Sequence, residues 1–137
     1  MTIAVDFDGT IVEDRYPEIG KERPFATTTL KMLIKEGHRL VLWTVREGKR
    51  LDEAVKWCEE RGIRFFAVNR DYDDDELTKM HHSRKIKADI FIDDRNVCGL
   101  PDWGVIYQLI QKRINWEQYL HEISNGSSGK KKPWWKF

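Results

Sequence analysis

Asp6 and Asp8 stand two positions apart at the end of the first apolar run, Thr2-Ile3-Ala4-Val5, and Gly9 and Thr10 follow them. The run reads as a buried strand. Side chains alternate along a strand, so Asp6 and Asp8 leave it on one side and Phe7 on the other. Two carboxylates so placed can hold a hard cation between them. Gly9 permits a sharp turn, and Thr10 can bond the turn backbone. An Asp-Gly pair can equally be a plain hairpin turn. A calcium loop of the EF-hand type is excluded. It needs Gly at its sixth position and Glu at its twelfth, whereas Gly9 is fourth from Asp6 and the twelfth residue is Pro17.

Two later apolar runs also end in polar residues. Leu40-Val41-Leu42-Trp43 ends at Thr44, and Ala88-Asp89-Ile90-Phe91-Ile92 ends at Asp93-Asp94. A further strand is expected at Phe65 to Val68. Between the strands lie helical patterns. Thr27 to Glu36 has an apolar face at Leu30, Leu33 and Ile34, a threonine run as N-cap and Gly37 as stop. Lys49 to Arg61 has one at Leu51, Ala54, Val55 and Cys58, and stops at Gly62. A last helix is predicted over Trp103 to Ile123. Strands alternating with helices imply crossovers and a mostly parallel α/β sheet. Such a sheet brings Asp6, Asp8, Thr44, Asp93 and Asp94 to one edge, where ligands bind in open α/β sheets.

That edge suits phosphoryl transfer, which needs a nucleophile, a cation and donors for the equatorial oxygens. Asp6 can be the nucleophile. Asp8 can protonate the leaving oxygen and then activate water. Asp93, with Asp6 and the backbone carbonyl of Asp8, supplies oxygen ligands for Mg²⁺, and Asp94 stands beside them. Thr44 can donate to a phosphate oxygen, and Arg46 could contact phosphate bidentately. A lysine must balance the clustered acids, with Lys79, Lys85 and Lys87 as candidates.

In these features the chain resembles the haloacid dehalogenase-like (HAD) phosphohydrolases. Asp6, Asp8 and Thr10 match the family's Asp-x-Asp-x-Thr motif. Leu40 to Thr44 match its strand ending in Ser or Thr, and Ile90 to Asp94 its strand ending in paired acids. The motif lysine is a single residue, and Lys85, just before the last strand, is the best match. The resemblance implies a Rossmann-like sheet with helices on both faces, Mg²⁺ dependence and an aspartyl-phosphate intermediate. It also implies a hairpin flap after the first motif, which suits the irregular stretch Ile11 to Phe25. The intervals where larger members insert a cap are short, so a capless enzyme is expected. Its open site would take a large substrate or be covered by a neighbouring subunit of a homo-oligomer.

The 137 residues, 40% hydrophobic and 34% charged, suit one globular domain, here residues 1–123. No run reaches the length of a membrane span, and no signal-peptide pattern is present. With Cys58 and Cys98 far apart, free thiols and a cytoplasmic location are expected. Net charge is +1, but residues 124–137 hold four lysines and no acid, leaving 20 basic against 23 acidic residues in the body. A mildly acidic body is not a generic nucleic-acid-binding domain. The tail, a Gly/Ser linker followed by Lys130 to Phe137, reads as a disordered terminus, a docking segment or a contact for an anionic membrane or nucleic-acid partner. The acids Asp73 to Glu76 and the His81-His82 pair read as solvated loop residues.

Two other functions use similar parts. A phosphoacceptor signalling domain also groups Asp, Thr and Lys around Mg²⁺, but its paired acids come early in the chain, whereas Asp93 and Asp94 come late. A non-hydrolysing phosphotransferase of the same superfamily would usually need a cap to exclude water.

Overall fold

Thr2 to Val5 are β-prone and mostly apolar, and they form one of the two inner strands of the sheet. In the computed structural model, which describes residues 1–70 and 86–126, this strand is β1 (Thr2–Val5). It is followed by α1 (Ala26–Lys35), β2 (Arg39–Leu42), α2 (Gly48–Glu60), β3 (Ala67–Val68) and β4 (Ile90–Ile92). The helices α3 (Trp103–Lys112) and α4 (Trp116–Gly126) complete the order. The four strands lie in the order β3-β2-β1-β4, all parallel. This is an open α/β sheet of the Rossmann-like kind expected from the alternation. Two compact units are delimited, Met1–Pro101 and Asp102–Phe137.

In the first unit, register follows the period of two. Ile3 pairs with Leu40 and Ile90, Ala4 with Val41 and Phe91, and Val5 with Leu42 and Ile92. Ala4, Val41, Ala67 and Ile86 form one buried cluster, packed by Trp43, Ala88 and Phe91. Ile3, Val5, Leu40 and Leu42, of the opposite parity, are also buried. Phe7 meets Trp57 of α2 edge to face, with centroids 5.7 Å apart. Leu30 and Leu33 are the fully buried leucines of α1, and Ala54 and Cys58 the buried residues of α2, all on the faces read from their spacing.

Several local expectations are corrected. The first residue of α1 follows Phe25, whose φ of 65° makes it the cap, with no side-chain bond to the helix end. The threonine run lies inside the helix instead, and the Thr27 hydroxyl donates to Glu22 at 2.7 Å. The helix predicted over Trp103 to Ile123 is two helices, because Arg113 takes φ 54° and closes α3. Asn115 and Gln118 then cap α4 reciprocally: each side-chain carbonyl accepts the other's backbone N–H, at 2.8 and 2.9 Å. The strands β3 and β4 are shorter than their apolar runs.

Residues 11–25 form a narrow hairpin-like excursion. The Glu13 N–H donates to Lys21 O and the Arg23 N–H to Ile11 O, and Val12 bridges both Asp8 and Glu22. No helix among the described residues is long and apolar enough to cross a membrane. Cys58 is buried and Cys98 exposed, both as free thiols, and burial pushes the Cys58 thiol up to about 12. Lys79, Lys85, the acids Asp73 to Glu76, His81-His82 and the tail from Lys130 to Phe137 lie outside the described residues.

Candidate active site

The carboxyl ends of β1, β2 and β4 converge because their register is fixed by the apolar pairs one step earlier. Beyond the Val5–Ile92 pair, the Asp6 N–H donates to Ile92 O at 3.0 Å, and the Trp43 N–H donates to Val5 O at 2.8 Å. Asp6 therefore sits between the ends of β2 and β4. Asp6, Asp93 and Asp94 each offer a carboxylate oxygen, all within 4.8 Å of one another. A cleft of about 570 Å³ opens here, lined by Asp6, Asp8, Thr44 and Asp93, with Trp43 and Tyr16 as aromatic walls.

Thr10 is fully buried and joins the two sides of the site. Its hydroxyl oxygen accepts the Asp94 N–H at 3.0 Å, and its one proton lies between Asp6, at 3.2 Å, and Asp94, at 3.3 Å. Gly9 has φ 86°, and a Cβ built there would overlap the Asp94 carboxylate. Only glycine admits both the turn and the close approach of Asp94. Asp93 is held by its own turn, its carboxylate accepting the Arg95 N–H at 2.8 Å. Burial, and after it the charge of Asp93, pushes the Asp6 carboxyl up to about 7. The all-oxygen donor set of the cluster fits a hard divalent cation.

Thr44 lies on the cleft wall. Its backbone N–H donates to Asn69 Oδ1 at 2.8 Å, and its hydroxyl accepts the Arg46 N–H at 3.2 Å, a bond that does not use the hydroxyl proton. Asn69, at φ 56°, thereby ties the end of β3 to the loop after β2.

Arg46 differs from expectation. It is fully buried, and all five of its N–H donors have protein acceptors. Nε and Nη2 form a fork on the two oxygens of Asp8, each at 2.7 Å. The remaining donors meet the carbonyls of Pro17, Glu18 and Arg50 at 2.9–3.3 Å. Arg46 therefore has no donor left for a phosphate. The Asp8 carboxylate turns to Arg46, and the metal ligand expected from this residue is its backbone carbonyl. Lys87 is exposed, and the other two lysines lie outside the described residues.

No family model matches the sequence. The structure is similar to that of a conserved protein of Bacteroides thetaiotaomicron, with a TM-score of 0.80 and 61% sequence identity. The match covers 85% of this chain and 94% of that one. The chain belongs to that protein's family. A Bacillus cereus protein named "Putative nucleotidase" is 33% identical over 95 residues, 67% of this chain. This chain spans 45% of that relative's length.

In this family member, the strand-end acids were readable from sequence, whereas the cleft walls were not. Trp43 and Tyr16 carry no motif, and Tyr16 reaches the cleft only because the excursion folds back over Arg46, 5.1 Å from its ring centroid. The guanidinium carbon also lies 5.2 Å from the centroid of the Phe7 ring. The available signal was the Arg two residues after Thr44, read as a substrate contact because its partner Asp8 is 38 positions away.

Proposed function

We propose that the protein is a Mg²⁺-dependent phosphomonoester hydrolase of the HAD type. The observation that carries this reading is the gathering of Asp6, Asp93 and Asp94 within 4.8 Å, two of which, Asp6 and Asp93, line a cleft together with Asp8 and Thr44. The Asp-x-Asp-x-Thr match and the nucleotidase name of the Bacillus cereus relative support it. Asp6, Asp93 and Asp94 would hold Mg²⁺, which when bound neutralises charge on the phosphoryl oxygens.

The chain's own residues account for the rest. An Asp6 carboxylate oxygen attacks phosphorus, the bond from phosphorus to the ester oxygen breaks, and Asp8 gives that oxygen a proton. Water then attacks the phosphorus of the aspartyl phosphate and loses its proton to Asp8. The bond to Asp6 breaks, inorganic phosphate leaves and both carboxyl groups are restored. The Thr44 hydroxyl donates to a phosphoryl oxygen. Lys85 serves as the balancing cation.

Nucleoside monophosphates are the first substrates to test, and Trp43 and Tyr16 offer faces on which a base could stack. Purified protein is incubated with sugar phosphates, nucleotides and an aryl phosphate in Mg²⁺. Release of inorganic phosphate that is lost in Asp6→Asn and in excess chelator is the expected result. Turnover no greater than that of Asp6→Asn on every ester overturns the reading.

A further inference from the structure

Arg46 carries a fully buried positive charge that no substrate can reach, yet it lies one side chain away from the cleft. Two of its donors fix both oxygens of Asp8, whose side chain is only 11% exposed. Two others hold the carbonyls of Pro17 and Glu18, in the excursion whose Asp14 and Tyr16 form the cleft rim. The fifth holds Arg50 O in α2. A planar fork cannot turn about one partner without misaligning the others. Each carboxylate oxygen bound by Arg46 keeps a second lone-pair site, so Asp8 stays able to take a further proton or bond while its orientation is fixed.

We propose that Arg46 is the positioning residue of Asp8 and couples that carboxylate to the seating of the rim at Pro17 and Glu18. The inference rests on the phosphatase reading for Asp8's role, and on geometry alone for the coupling. A rim in place aligns Asp8 toward the cleft, and a displaced rim withdraws two acceptors from Arg46 and frees Asp8 to rotate. Rim and Asp8 then influence each other equally, since coupling between two sites is reciprocal.

Two measurements test this. The first is a kinetic cycle of Arg46→Lys, Asp8→Asn and the double variant on the best ester from the screen. Lysine keeps the charge and loses the fork. Arg46→Lys is expected to lower kcat at least tenfold with KM within threefold, and to cost less than twofold further in the Asp8→Asn background. Equal losses in both backgrounds, or a raised KM with kcat unchanged, would overturn the proposal, the latter in favour of direct phosphate contact. The second is hydrogen exchange of Asp8→Asn, which needs neither turnover nor a change at Arg46. Amides of residues 13–22 are expected to exchange at least fivefold faster than in wild type, with β1 unchanged. Unchanged exchange at 13–22 overturns the coupling. Absence of turnover in wild type overturns the phosphatase reading instead, and the exchange result still decides the coupling.

Discussion

Thr10 and Asp94 bond to each other across 84 positions of sequence: the Thr10 hydroxyl accepts the Asp94 N–H at 3.0 Å and lies 3.3 Å from the Asp94 carboxylate. The turn after β1 and the end of β4 are thus held by one buried hydroxyl. Thr10→Val keeps the shape but leaves the Asp94 N–H without its acceptor. Urea denaturation should show a loss of about 1–3 kcal/mol. Thr10→Ser, which keeps the oxygen and loses one methyl group, should cost under about 1 kcal/mol.

Gly9→Ala meets two obstacles at once, a φ of 86° and the Asp94 carboxylate where its Cβ would go. A stability loss of roughly 1 kcal/mol or more is expected. Because Asp94 must move aside, calorimetric Mg²⁺ affinity should fall at least tenfold. Unchanged affinity would place the cation elsewhere.

Asp6 ionises at about 7 in the folded chain against an ordinary 3.8. Between those values the native state keeps a proton that the unfolded chain has lost. The Asp6 contribution to stability therefore falls as pH rises from about 4 to about 7 and is level above that. In chelator, Asp6→Asn should match the wild type in Tm near pH 4 and exceed it at pH 8. A variant that is no more stable than wild type at pH 8 would show that Asp6 ionises in its ordinary range.

Asp8→Asn separates the two halves of the proposed reaction. With an activated leaving group, such as an aryl phosphate, the first step needs little protonation, while release of phosphate from Asp6 needs a base. Steady-state turnover should fall by roughly 10²–10⁴. Acid quenching should trap phosphate on the protein, seen as a mass gain in intact-protein spectra. Full activity in Asp8→Asn would remove it from proton transfer.

The strand-end acids were legible because both signals are local: an apolar run with a period of two, then a polar residue where it stops. The partner of Arg46 was not legible, since nothing near residue 46 points to Asp8 or to the Pro17 carbonyl. Thr10 read as a turn residue, which it is, but its bond to Asp94 needs β4 alongside β1. The break at Arg113 was hidden by apolar residues that continue past it at Ile114 and Leu120. Only the Asn115-x-x-Gln118 pair signals a new helix start, and it is easily lost within a helical period. Phe25 caps α1 through its backbone conformation alone, for which a phenylalanine gives no cue.

The sheet order has a consequence in time. β1 is the earliest strand in the chain, and it is flanked by β2 on one side and β4 on the other. Ile90, at the start of β4, is roughly 85 positions after Val5. A ribosome adding roughly 5–20 residues per second makes the two about 4–17 s apart. Through that interval the N–H and C=O groups that β1 will give to β4 have no strand beside them, and an apolar, unpaired edge is what holding chaperones and stray strands bind. The strand that organises the acids is thus the one that waits longest for its second neighbour.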